Sequence, residues 1–269
     1  MANRQEPSQD EGTGRSTTRG IPVRVLIPNL ITLLVLAAGL TAVRFAADGQ
    51  FDRAVLAIAA AAMLDGLDGR IARMLKGTSP FGAELDSLAD FISFGCAPAL
   101  TLYFWHLKEL STFGWLASLA LAFAMALRLA RFNVALADTT KPEWTKQFFT
   151  GVPAPSGALL ALFPVNLALS GLPEFTGMAV LVAVWTVIVA GLVVSRLPTF
   201  SGKGRSGPIP RERVIPIVGV VLAVSVLLVS HPFPTLAGLT VGYLVMLPFG
   251  FARYRKLSAG EAAVQPAQA

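Results

Sequence analysis

Apolar runs of about twenty residues follow one another along this chain, separated by short polar segments. A helical run of that length, rising about 1.5 Å per residue, crosses the ~30 Å hydrocarbon core of a bilayer. The pattern predicts an all-α, polytopic membrane bundle of about eight spans: Asn29–Ala47, Phe51–Leu75, Phe81–Trp105, Phe113–Ala135, Pro155–Leu172, Thr176–Val194, Val214–Ser230 and Pro234–Phe251. Composition agrees. The 269 residues are 54% hydrophobic and 14% charged, with a mean hydropathy of +0.63, whereas a soluble domain carries about 25% charged residues. Residues 1–20 are polar, without the apolar centre of a cleavable signal, and read as a disordered tail. Ile21–Pro28 reads as a basic-apolar segment along the interface. Residues 253–269 read as a second disordered tail.

Inside this apolar sequence lies DGLDGRIARMLKGTSPFGAELDSLAD, Asp65 to Asp90. Its carboxylates form two pairs, Asp65 with Asp68 and Asp86 with Asp90, and spacings of three and four put each pair on one helix face. Lys76-Gly77-Thr78-Ser79-Pro80 supplies the turn between them. Two antiparallel helices joined there aim four carboxylates at one point. Each Asp costs roughly 2.5–3.5 kcal/mol at the centre of a membrane helix, so four unpaired anions cost on the order of 10 kcal/mol before their mutual repulsion. Divalent cations remove both penalties, and an all-oxygen donor set suits Mg²⁺ or Mn²⁺.

The eight positions Asp65, Asp68, Gly69, Ala72, Arg73, Gly82, Asp86 and Asp90 stand at the spacings of the CDP-alcohol phosphotransferase signature, without a departure over 26 residues. The chain thus resembles that family, whose members are integral membrane enzymes displacing CMP from a CDP-activated group with an alcohol. The resemblance implies two divalent metal ions held by Asp65, Asp68 and Asp86, with Asp90 sharing one of them and taking the acceptor's hydroxyl proton. Arg73, on the same helix as the first pair, suits the pyrophosphate of a CDP-lipid. Gly69 and Gly82 lack side chains, so a nucleotide can approach the backbone there, and in the family they border the cytidine site. Ser79, and Asn29 with Thr32 in an N-x-x-T element, match positions that also contact the CDP-lipid. Asn29 reads equally as a helix cap.

Arg128-Leu129-Ala130-Arg131-Phe132-Asn133, Thr150 to Ala158 (TGVPAPSGA), Leu197-Pro198-Thr199-Phe200 and Leu85 to Gly95 resemble the phosphatidylserine synthase branch of the family. That branch transfers a phosphatidyl group from CDP-diacylglycerol to L-serine, and relatives are homodimers. The resemblance covers about residues 25–205. It implies a family domain at 21–213, to which residues 214–252 add a transmembrane hairpin without an assigned role. Arg128 and Arg131 share a helix face and, with Asn133, read as the site of the serine carboxylate. Choline, glycerol phosphate or an inositol phosphate remain alternative acceptors. From another class, intramembrane carboxylates also mark ion transporters, though that reading leaves Arg73 and the glycine spacing unused.

Charge distribution sets the expected orientation. Nineteen of the 22 Lys and Arg lie on one side of an eight-span topology, leaving only Arg44, Arg53 and Lys108 on the other. The positive-inside rule then puts both termini and the Asp cluster on the cytoplasmic side of the cell (inner) membrane. The net charge of +6 does not indicate nucleic acid, because the basic residues are scattered among loops between spans. The lone Cys96 excludes an internal disulfide and a Cys-based metal site. His106 and His231 stand alone at span ends, as interfacial residues do.

Overall fold

The computed structural model describes residues 23–75, 79–137, 148–195, 198–200 and 211–264. The N-terminal tail, residues 76–78 of the turn, residues 138–147, most of the loop before residue 211, the last five residues and the side chain of Arg73 lie outside the described residues.

The described residues form helices α1 (Val23–Ala47), α2 (Phe51–Met74), α3 (Pro80–Asp90), α4 (Ala97–Trp105), α5 (Thr112–Ala137), α6 (Ala154–Ala161), α7 (Phe163–Leu169), α8 (Met178–Val194), α9 (Arg211–Ser230) and α10 (Pro232–Val264). A π-helical segment, Phe91–Cys96, joins α3 to α4 into one rod. One short antiparallel ribbon accompanies the helices: β1 (Phe148–Thr150) pairs with β2 (Pro198–Phe200), with Phe149 opposite Thr199. With α3–α4 and α6–α7 each taken as one rod, the described residues make eight rods, corresponding in order to the eight expected spans.

Among the described residues, four stretches are long and apolar enough to cross a membrane: Leu26–Ala47, Pro80–Trp105, Thr112–Ala135 and Pro232–Gly250. Met178–Val194 and Val214–Ser230 are shorter apolar helices. Helix α2 carries Asp52, Arg53, Asp65, Asp68, Arg70 and Arg73 on 24 residues, a charge load that an apolar span does not bear. Large side chains such as Leu33, Leu34, Leu40, Phe123 and Val187 face outward, as they do where the surrounding solvent is lipid. Lipid gives no hydrophobic drive between helices, so association depends on close packing of small residues. The α1–α2 contact has that character: Ala42 and Ala46 of α1 and Ala54 and Ala61 of α2 are buried.

Three boundaries differ from the sequence expectation. Val23–Pro28 is the start of α1, with Pro28 inside the helix, and not a separate interfacial segment. Residues 253–264, expected in a disordered tail, continue α10. The fifth span breaks at Leu162, and Pro164 explains it. Proline has no N–H for the carbonyl of Leu160 four residues back. The indole Nε1 of Trp185 on α8 donates to that carbonyl at 2.8 Å, so a backbone acceptor inside the bundle is not left unpaired. The π segment has a similar cause. Pro98 cannot donate to Phe94, and the wider turns, with Ala97 N–H donating to Ile92, lie immediately before it. Ser93, in this segment, donates its hydroxyl to the Val35 carbonyl of α1 at 3.0 Å.

The entry to α6 turns on Gly151, whose φ is +82° and whose missing Cβ would lie 2.8 Å from the Ser195 carbonyl oxygen. A side chain there would meet both the strained backbone and the end of α8. At the far end of the α3–α4 rod, His106 sits between two carboxylates, with Nδ1 2.6 Å from Glu109 and Nε2 3.5 Å from Glu174. It thereby ties the turn after α4 to the segment before α8.

Candidate active site

The site forms where α1, α2 and α3 meet. Ser79 starts α3 with extended backbone, and its Oγ accepts the Gly82 N–H at 3.0 Å, followed by Pro80 in the first turn. This is a conventional cap, with a side-chain acceptor for an otherwise unpaired N–H. It fixes the start of the helix that carries Asp86 and Asp90.

Asp65, Asp68 and Asp86 each present a carboxylate oxygen, and these atoms all lie within 4.8 Å of one another. At an effective dielectric constant near 20, two unit charges that close repel by at least about 3 kcal/mol. Ionised together, the three require positive charge between them. Asp90 stands beside this group, with its carboxyl within hydrogen-bonding reach of Asp65. Its Oδ1 is buried without a hydrogen-bond partner among the described residues. A set of close carboxylate oxygens with one more buried oxygen unsatisfied fits a divalent cation with oxygen preference.

The surroundings of these groups are specific. Asp68 is only 5% exposed. Thr32 Oγ1 of α1 lies 3.2 Å from Asp68 Oδ2 and 3.1 Å from the Pro28 carbonyl, so its single proton can serve either acceptor. A Cβ on Gly82 would meet Asn29 Oδ1 at 2.8 Å and Ser79 Oγ at 3.1 Å. Gly82 is therefore small because Asn29 occupies its space. A Cβ on Gly69 would meet nothing within 4 Å, and Gly66 is equally open. Of the two signature glycines, Gly69 borders open space and Gly82 is a packing contact between α1 and α3.

The residues expected at the acceptor site diverge. Arg128 of α5 is half-buried, lies over the Phe132 ring at 5.6 Å from its centroid, and is within electrostatic range of Asp90 and Asp65. Among the described residues no carboxylate comes within ion-pair distance of it. Arg131 turns instead to α8 and donates from Nη1 to the Val194 carbonyl at 2.7 Å, satisfying a helix-end acceptor. Asn133 donates to Ser87 Oγ at 2.9 Å, and so links α5 to the residue after Asp86. The two arginines thus face different neighbours, Arg128 toward Phe132 and Arg131 toward the end of α8. Sequence reasoning missed Ser87 as the partner of Asn133, although it lies inside the quoted motif.

Residues 25–194, from α1 to the end of α8, match the family model for CDP-alcohol phosphatidyltransferase. The chain belongs to the CDP-alcohol phosphatidyltransferase family. A second model, CDP-alcohol phosphatidyltransferase 2, matches residues 212–248 on α9 and α10. The chain is similar to the CDP-diacylglycerol--serine O-phosphatidyltransferase of Mycobacterium leprae (strain TN), at 36% identity over 247 residues, 92% of this chain and 81% of that protein. The enzyme of the same name from Mycobacterium tuberculosis (strain ATCC 25618 / H37Rv) is 35% identical, covering 89% of this chain and 82% of its own. That of Helicobacter pylori (strain ATCC 700392 / 26695) is 40% identical over 142 residues, 53% of this chain and 58% of its own. A match over 92% of the chain must extend into the C-terminal hairpin, so likeness to this family does not stop near residue 205. Membership of the CDP-alcohol phosphatidyltransferase family also removes support from the ion-transporter reading.

Proposed function

We propose that this integral membrane protein transfers the phosphatidyl group of CDP-diacylglycerol to L-serine, giving phosphatidylserine and CMP. The observation that carries the reading is the carboxylate group of Asp65, Asp68 and Asp86 with Asp90 beside it, in a chain whose extensive relatives are named for this reaction. In this reading Asp65, Asp68 and Asp86 would hold two divalent ions, with Asp90 as a further ligand. When bound, Mg²⁺ or Mn²⁺ would offset the charge of the pyrophosphate and of the departing CMP.

The chain's own residues do the rest. The serine hydroxyl oxygen bonds to the phosphatidyl phosphorus, the bond from phosphorus to the CMP oxygen breaks, and the hydroxyl proton passes to Asp90. Thr32 steadies Asp68. The open backbone at Gly69 admits the nucleotide, Arg73 meets the pyrophosphate, and Asn29, Ser79 and Gly82 form the adjoining wall. Arg128 holds the serine carboxylate away from the Asp cluster, where that carboxylate would otherwise compete for metal. Asn133 acts through Ser87 to fix α5 against α3.

The distribution of Lys and Arg supports placing the site and both termini on the cytoplasmic side of the inner membrane. A reporter fused after Leu257 is then cytoplasmic and one inserted between Leu110 and Thr112 is not; the same location for both would overturn this. The family resemblance supports a homodimer, which the mass of the detergent-solubilised protein tests. For the reaction itself, purified protein receives CDP-diacylglycerol, Mn²⁺ or Mg²⁺, and serine, choline, glycerol phosphate or inositol phosphate in turn. CMP release with serine is expected. Release with another alcohol but not with serine sinks the assignment.

A further inference from the structure

Helix α1 meets the rod that carries Asp86 and Asp90 at two levels. At the first, Asn29 fills the space beside Gly82. At the second, further along α1, the buried Ser93 donates its hydroxyl to the Val35 carbonyl at 3.0 Å. Gly39 makes that approach possible: a Cβ there would collide with the Ser93 hydroxyl and lie 2.7 Å from the Ser93 Cα. Between the two levels, Thr32 reaches Asp68. Asn29, Thr32, Val35 and Gly39, spaced by three, three and four residues, share one face of α1. On its other side the π segment is closed by α5, where a Cβ on Gly95 would lie 3.1 Å from the Cβ of the buried Met125. Asp86 and Asp90 therefore lie between two docking points, at Gly82 and Ser93.

We infer that Ser93 is a positioning residue for the carboxylate group: its hydroxyl, seated against Gly39, ties the rod to α1 and so fixes Asp86 and Asp90 opposite Asp65 and Asp68. This rests on the metal-holding reading of the cluster above, and not on which alcohol is the acceptor. The Val35 carbonyl lies inside α1, whose own ladder supplies it with a donor. The bond from Ser93 is thus not needed to satisfy that acceptor. Nor is it the default for a buried hydroxyl in a helix: Thr101, two turns along the same rod, donates within its own helix to Ala97 at 2.7 Å. Ser93 reaches across to α1 instead, from wide turns whose irregular ladder cannot alone set the direction of the residues before it. Groups that coordinate together must be held to a fraction of an ångström, which is the work of the residues behind them.

Ser93→Ala removes the hydroxyl and leaves the close approach to Gly39 in place. Thr101→Val is the control, removing a buried hydroxyl whose bond runs within its own helix. In EDTA both variants should melt near the wild type in detergent, because one hydroxyl bond between membrane helices contributes little to stability. Added Mn²⁺ should raise the melting temperature of all three proteins. Ser93→Ala should need about tenfold more Mn²⁺ than the wild type for half of that rise, and about tenfold more for half-maximal CMP release. Its KM values for both substrates at saturating Mn²⁺ should not change. Thr101→Val should titrate as the wild type does. A wild-type Mn²⁺ titration in Ser93→Ala, an equal shift in Thr101→Val, or a Ser93→Ala protein that does not fold in EDTA each overturns the inference and leaves the carboxylate site standing. A wild-type protein whose melting temperature does not respond to Mn²⁺ overturns the metal-holding reading, and the inference with it.

Discussion

The hydroxyl of Thr32 on α1 lies 3.2 Å from Oδ2 of Asp68 on α2. Among the described residues this bond joins the first helix to the carboxylate group, and it reaches the least exposed of the three close carboxylates. A neighbour that orients a metal ligand is commonly worth about 10–100-fold in metal affinity. Thr32→Val, which keeps the shape and removes the hydroxyl, should raise the Mn²⁺ concentration for half-maximal CMP release about tenfold. Activity at saturating Mn²⁺ should largely recover. An unchanged metal titration would show that Thr32 serves only the Pro28 carbonyl.

Asp65→Asn, Asp68→Asn and Asp86→Asn should each abolish CMP release without unfolding the protein, since Asn differs little from Asp in volume. A second readout separates ligand loss from misfolding. Added Mn²⁺ should raise the melting temperature of the wild type in detergent, because binding to the folded state stabilises it, and should fail to do so in each variant. In EDTA, removing one of three mutually repelling charges should leave the melting temperature at or above that of the wild type. Metal-dependent activity retained in any of the three would contradict the ligand set.

The two signature glycines should fail differently. Gly82→Ala forces Asn29 aside and should cost about 1 kcal/mol or more of stability, seen as a lower melting temperature. Gly69→Ala meets no atom within 4 Å, so the protein should melt as the wild type does while its KM for CDP-diacylglycerol rises. If Gly69→Ala leaves that KM untouched, the open backbone is not where the nucleotide lies.

Arg128 and Arg131 should also part company. Arg128→Lys keeps the charge and loses the planar fork, so the serine KM should rise about tenfold, equivalent to roughly 1.4 kcal/mol. Arg131→Lys should leave the serine KM alone and lower thermal stability, because the Val194 carbonyl loses a well-aligned donor. The reverse pattern would exchange their roles.

Spacing alone made the helical pairing of the carboxylates legible, because three and four residues define a helix face whatever surrounds it. The convergence of Asp65, Asp68 and Asp86 followed from the turn between α2 and α3. The position of Asp90 beside the group was legible in the same way, one turn beyond Asp86 on the same helix, whereas the π segment that follows it was not. Arg128 and Arg131 share a face by sequence, yet long side chains on one face still choose different partners, and the end of α8 that draws Arg131 lies 63 residues on. The break at Leu162 was readable from Pro164. Its repair by Trp185 was not, because a carbonyl's partner on another helix leaves no periodic trace. The β1–β2 ribbon is three residues a side, too short for alternation to register.

The π segment between Asp90 and Ala97 has a consequence for chain length. Its i→i+5 turns hold one residue more than an α-helix would need, and Ser93 pins them to Val35. Deleting a single residue from 91–96 would convert the segment to ordinary helix with its backbone bonds intact and leave the phase of α3 against α4 nearly unchanged, because the wide turns already absorb the surplus residue. A deletion inside the regular turns of Ala97–Trp105 has no such slack: it would turn the rod on one side by about 100° relative to the other and swing Asp86 and Asp90 off the cluster. A one-codon deletion at 91–96 should therefore leave CMP release measurable, and one within Ala97–Trp105 should abolish it. The surplus residue is a length reserve placed between the buried half of the rod and its carboxylate half.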